Sequence, residues 1–169
     1  MARSPCVLVV CFQPLRAASL VALLRDWADA GRMTLSPARP AAAREALDEA
    51  GGCALAILDI GSASLGDVVA AGWLQGVLQA ADAAPVAVIA DTEQPEEILA
   101  AVRAGARGFI PTSTAPEIAL RAFSFIIGGG SFFPPGALLE RFRPRAMRAG
   151  PDRAVPQDRR LPRNVLSEQ

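Results

Sequence analysis

Apolar and small residues fall on one helical stripe five times along this chain. Leu20, Leu23, Leu24 and Trp27 match the spacing i, i+3, i+4, i+7, as do Ala43, Ala46, Leu47 and Ala50. Ala70, Trp73, Leu74 and Val77 form a third match, weakened by Gly72 and Gly76. The fourth joins Ile98, Ala101, Val102 and Gly105, and the fifth joins Ala119, Ala122, Phe123 and Ile126. Pro14 and Pro95 stand where a first helical turn accepts proline. Glu96 and Glu97 then oppose the positive end of the helix dipole, and Thr114 with Glu117 has capping-box spacing.

Short β-type runs alternate with these stripes: Cys6–Cys11, Met33–Leu35, Ala54–Leu58, Pro85–Ala90 and Gly108–Ile110. Three of them are apolar throughout instead of alternating, which marks strands covered on both faces and hence a parallel sheet. Ala101–Pro111 compresses a helix end, a glycine stop, a buried strand and a proline turn into eleven residues. The pattern predicts an α/β fold with a doubly wound, five-stranded parallel sheet. The expected form is flavodoxin-like, with strand order 2-1-3-4-5 in a three-layer sandwich.

Composition narrows the chemistry. The apolar share of 51% is enough for one real core. Net charge is zero, all 17 basic residues are arginine, and histidine and tyrosine are absent. Histidine catalysis, histidine metal sites, lysine Schiff bases and tyrosyl acids are excluded. Cys6, Cys11 and Cys53 lie in or beside apolar runs and read as reduced, buried thiols, as in a cytoplasmic protein. They form no CxxC pair, so no zinc site is expected. The run Cys6–Phe12 resembles the core of a signal peptide, but it is short, Pro14 ends it and a well-patterned helix follows, so it reads as a strand. No uninterrupted apolar run approaches ~20 residues, so no membrane span is expected.

The character changes after Gly128–Gly130. Residues 1–135 are expected to form one domain and 136–169 an appendage. Ser131–Glu140 reads as an extended stub followed by a short helical turn. Residues 141–163 hold eight arginines, two aspartates and four prolines. This composition predicts a mobile basic tail, able to bind nucleic acid only weakly and with steep salt dependence.

In such a sheet, chemistry sits beyond the carboxyl ends of the strands. Those ends deliver Cys11, Phe12 and Gln13; Asp59; Ala90 and Asp91; and Pro111 and Thr112. Asp59 directly follows an apolar strand. It reads either as a turn-capping carboxylate or as a nucleophilic or metal-binding one.

Four segments carry a family resemblance: Val7–Leu15, Leu55–Asp59, Gly105–Thr114 and Gly128–Pro135. On these, roughly residues 6–135 resemble the receiver domain of bacterial two-component response regulators, of the type preceding LuxR/NarL DNA-binding domains. The resemblance implies that Asp59 is the phosphoacceptor and Phe109 the switch aromatic. It also implies that much of the supporting machinery is missing. The acidic pair that helps hold magnesium falls on Cys11 and Phe12, the strand-four hydroxyl on Ala90, and the strand-five lysine on Thr112. Phosphoryl transfer gathers negative charge that must be neutralised, and magnesium prefers several oxygen ligands. A degenerate pseudo-receiver is therefore expected: non-enzymatic, without a cofactor, and with weak or absent magnesium binding.

The expected function is two-component signal transduction by protein–protein interaction, with weak or no aspartyl phosphorylation. The partner would be a sensor kinase, another response regulator or another signalling protein, and self-pairing stays open. Arg103, Arg107, Glu117 and Arg121 are expected to be exposed on the face that resembles the receiver output surface. The alternative is a LuxR-type transcription regulator whose DNA-binding half is truncated or missing. A flavin carrier or enzyme on this fold would need a phosphate-cradling loop after the first strand, which Cys11–Leu15 does not supply.

Overall fold

The computed structural model describes residues 4–135. The chain runs β1 (Cys6–Cys11), α1 (Pro14–Ala30), β2 (Thr34–Ala38), a 3-10 turn (Pro40–Ala42), α2 (Ala43–Ala50) and β3 (Cys53–Gly61). It continues through α3 (Leu65–Ala70), α4 (Trp73–Ala81), β4 (Val86–Ala90), α5 (Pro95–Ala104), β5 (Gly108–Pro111) and α6 (Pro116–Ile127). All strand pairs are parallel, in the order β2-β1-β3-β4-β5. This is the flavodoxin-like, doubly wound sandwich that the strand pattern predicts.

Strand parity divides the core in two. Leu8, Val10, Ala56, Leu58, Val88 and Phe109 face α2, α3, α4 and α5. Their alternates Val7, Val9, Leu55, Ile57, Ile89 and Ile110 face α1 and α6. Both faces of β1, β3 and β4 are buried, which is why their sequences show no polar alternation.

Several elements differ from the sequence reading. The third helix is two short helices, because Gly72 adopts φ 74° between them. Ala70 and Trp73 therefore do not share a stripe, and Trp73 is left 42% exposed. Ser64 starts α3 by accepting from the Asp67 N–H at 3.3 Å, and the Leu65 N–H is held by Glu97 of α5. The capping box at Thr114 does not form. Pro116 is fixed at the first helical position, so Ala115 is the cap and Thr114 lies one residue too early. In α1 the buried stripe is Leu24 and Ala28, with Leu23 turned outward.

β2 runs to Ala38, beyond the expected Met33–Leu35, because Leu35–Ala38 pair with Val7–Val10 of β1. β3 extends to Gly61, so Asp59 lies inside the strand, paired with Cys11. After α6 the backbone turns at Gly128–Gly130, and Phe132 forms a parallel bridge to Gly108. This is the expected extended stub. The expected short helical turn, the appendage 136–169 and the mobile basic tail lie outside the described residues.

Candidate functional site

Position 59 shares its strand parity with Leu55 and Ile57, so the Asp59 side chain emerges on the α1 side of the sheet. It is 1% exposed. An ionised carboxylate at that depth needs partners. The Gly61 N–H donates to Oδ1 at 3.0 Å, from a backbone at φ 59° that glycine adopts without a Cβ penalty. The Cys11 thiol donates to Oδ2 at 3.4 Å.

The main partner is Arg16, in the first turn of α1. Its Nε donates to Asp59 Oδ2 at 2.8 Å and its Nη2 donates to Asp59 Oδ1 at 2.8 Å. This is the bidentate fork that makes arginine–carboxylate pairs strong. The same guanidinium reaches Asp91, just past β4, with Nη2–Oδ1 at 3.0 Å and Nη1–Oδ2 at 3.3 Å. Thr112 Oγ1 donates to Asp91 Oδ1 at 3.1 Å. One guanidinium thus bridges the ends of β3 and β4, and Asp91 passes the contact on to the end of β5. The hydrogen bonds that Arg16 donates to Asp59 raise the Arg16 pKa above its ordinary value; burial opposes this, and the charges of Asp59 and Asp91 add to it. Burial pushes the Cys11 thiol up, with the Asp59 charge acting in the same sense. Both shifts describe a charged arginine beside a neutral thiol.

The sequence-predicted residues are distributed as follows. Cys11, Asp59 and Thr112 join one network through Arg16 and Asp91. Phe12 instead packs against Trp73, with ring centroids 4.4 Å apart and the ring planes tilted by 47°. Ala90 and Phe109 are fully buried in the core under α5, on the opposite side of the sheet from Arg16. Arg103, Arg107, Glu117 and Arg121 are exposed. Cys6 and Cys11 are buried, whereas Cys53 is only half-buried, contrary to the expectation of three buried thiols. The sequence pattern does not single out Arg16. A signal is nonetheless present: a cation in a first helical turn opposes the dipole, and α1 has no acidic residue there.

Magnesium fits these residues poorly. Cys11 and Phe12 present a thiol and a phenyl ring at the end of β1, and both Asp59 oxygens accept from a guanidinium. Among the described residues no group of three or more cysteine or acidic side chains is placed to hold a metal. The cleft between Arg16, Asp59 and the β1–α1 loop leaves only about 20 Å³. Among the described residues no helix is long and apolar enough to cross a membrane.

Known structures place this fold in a class. A LuxR family DNA-binding response regulator from Silicibacter pomeroyi is 30% identical, with a TM-score of 0.62 over 78% of this chain and 98% of that one. The isolated REC domain of RcsB from Salmonella enterica serovar Typhimurium has a TM-score of 0.62 at 14% identity, covering 80% of this chain and 97% of that one. A LuxR family two-component response regulator from an Aurantimonas species has a TM-score of 0.64 at 17% identity, covering 81% and 94%. The last two likenesses speak for the fold alone. No protein-family model and no curated protein sequence matches the chain. The fold and the first of these similarities define a receiver domain of a signal-transduction regulator. The chain belongs to the response-regulator family.

Proposed function

We propose that this receiver domain signals by protein–protein interaction, with weak or no phosphorylation of Asp59. The observation that carries the reading is the Arg16 fork on both Asp59 oxygens. A carboxylate attacks phosphorus through an oxygen lone pair, with its cation on the other oxygen and on the phosphoryl group. Here both oxygens are already engaged, and the positions expected to supply acids, a hydroxyl and a lysine hold Cys11, Phe12, Ala90 and Thr112. Arg16 supplies the positive charge that stabilises ionised Asp59 without a metal. The domain then keeps one arrangement in place of a phosphorylation-dependent pair.

The partner face is proposed to lie over α5, β5 and α6. Val102, Ile118 and Phe125 are exposed there among Arg103, Glu117 and Arg121. Ile118 and Phe125 are seven apart on α6 and so share one stripe. A sensor kinase or a second response regulator is the partner class. The test is the affinity of such a partner for wild type and Asp59→Asn, each with and without a small phosphodonor. Equal affinity in all four cases is expected. Tighter binding only for wild type with phosphodonor would overturn the reading.

A second reading, a LuxR-type transcription regulator, is favoured by the 30% identity to a DNA-binding regulator of that family. Its test is the size and DNA retention of the product in its own cells. A longer polypeptide that protects specific promoter sites would support it, and a product of this length without such protection would remove it.

A further inference from the structure

Cys6 and Cys53 open the neighbouring strands β1 and β3. Far apart along the chain, they are set side by side by the sheet. Cys6 is the Cα partner of Cys53, and the Cys6 N–H donates to the adjacent Gly52 carbonyl at 2.9 Å. Neighbouring strands lie about 4.8 Å apart. A disulfide spans Cα separations of about 4.4 to 6.8 Å, so the backbone spacing suits one. Both residues are free thiols here.

Strand parity alone would keep these side chains on opposite faces. Position 53 shares its parity with Leu55 and Ile57, which face α1 and α6. Cys6 faces the other way, with Leu8 and Val10. The register shifts between Cys6 and Val7: Cys6 pairs with Cys53 but Val7 pairs with Leu55, so Ala54 is an extra residue in β3. A bulge of this kind re-aims the side chain beside it. Cys53 accordingly packs with the residues of the Cys6 face. Burial raises both thiols, and after burial the largest influence on each is the other.

The pair is accessible from one side. Cys6 is fully buried, but Cys53 is half-buried. Cys53 lines a cleft of about 560 Å³ together with Arg44, Asp48, Gly51 and Asp82. A space of that size admits a small molecule. Cys11 takes no part. It ends the strand that Cys6 begins, about 16 Å away, and its thiol donates to Asp59.

We propose that Cys6 and Cys53 form a thiol–disulfide modification site, closed by exchange with a low-molecular-weight disulfide. The more exposed partner reacts first. The Cys53 thiolate attacks one sulfur of the reagent, giving a mixed disulfide and one released thiolate. The Cys6 thiolate then attacks the Cys53 sulfur, closing the Cys6–Cys53 bond and releasing the second thiolate. The protons given up by Cys53 and Cys6 end on the two leaving thiolates, so the reagent is reduced to two thiols. The raised thiols hold little thiolate near neutral pH, so closure is slow and follows sustained oxidation of the surroundings. The bond ties the starts of β1 and β3 together at the edge of the sheet opposite Asp59. It removes freedom from the unfolded chain and so stabilises the fold. This inference depends neither on the phosphorylation state of Asp59 nor on the partner face.

The experiment uses the full chain in a buffer of reduced and oxidised glutathione. Links are read by non-reducing peptide mapping after acid quenching, with fragmentation that separates Cys6 from Cys11. Folded protein should lose two hydrogens per chain and carry a Cys6–Cys53 link, with Cys11 left as a thiol. The link should form at a rate independent of protein concentration, raise the melting temperature by several degrees and reverse with dithiothreitol. In denaturant the preference should change to Cys6–Cys11, because the shortest loop closes most readily. Cys53→Ala should leave Cys6 reduced in the folded chain. A stable glutathione adduct on Cys53 with Cys6 still free would overturn the proposal. So would the same distribution of links in folded and denatured chains, or bonds between chains only. No oxidation of the folded protein at a glutathione ratio that fully links the denatured chain would overturn it as well.

Discussion

Arg16 and Asp59 form a two-pronged ion pair, 2.8 Å on each prong, across 43 positions of sequence. The carboxylate is 1% exposed and the guanidinium side chain 30%. Removing one partner of such a pair leaves a buried charge with too few donors, whereas the intact pair is close to break-even against its desolvation. Arg16→Ala should therefore cost about 3 kcal/mol in denaturant unfolding. Asp59→Asn should cost less, because Gly61 still donates to the amide oxygen and Arg16 keeps Asp91 and solvent. A double-mutant cycle should return a coupling of at least about 1 kcal/mol.

Magnesium should leave the melting temperature of the wild-type chain nearly unchanged. In a site of clustered carboxylates a cation relieves repulsion and stabilises by mass action. Here Arg16 already stands between Asp59 and Asp91. Installing acids alone, as Cys11→Asp with Phe12→Asp, should give only a small magnesium response. Adding Arg16→Ala should enlarge it, as read by melting temperature against magnesium concentration. A saturable shift of several degrees in wild type would contradict this reading of the pocket.

The fold was legible because its information is local. The apolar runs at β1, β3 and β4 and the prolines at positions 14 and 95 mark elements without long-range knowledge. Asp59 was legible too, because a carboxylate after Ala-Ile-Leu has no packing reason to be there. Arg16 was not, because its meaning depends on α1 lying over the face to which the parity of β3 sends Asp59. The failed capping box shows the reverse limit, since correct Thr-x-x-Glu spacing lost to the fixed φ of Pro116.

The split of the third helix gives a pair of opposite glycine effects. Gly72 sits at φ 74°, so Gly72→Ala should destabilise by about 1 kcal/mol. Gly76 lies inside α4 on an exposed face, and an added methyl group there would meet nothing within 4 Å. Gly76→Ala should stabilise by up to about 1 kcal/mol. Thermal or chemical unfolding of the two variants checks both signs.

Alkaline pH should weaken the fold through its thiols. Burial raises the Cys53 thiol from its ordinary 9.0 to about 11, with the neighbouring Cys6 acting in the same sense, and burial raises Cys6 and Cys11 as well. The folded state holds these protons where the unfolded chain has released them, so stability falls as pH rises. The contribution is complete below about pH 9 and is lost through about 11 for Cys53. Cys53→Ala should flatten the decline between those values in unfolding measured across pH.

The most direct test of the site is intact-protein mass spectrometry after incubation with a small phosphodonor and magnesium. Wild type should show little or no phosphorylated species over minutes, matching Asp59→Asn. Addition of one phosphoryl group to most wild-type molecules within minutes, absent in Asp59→Asn, would show that the Arg16 fork does not keep Asp59 from the phosphodonor.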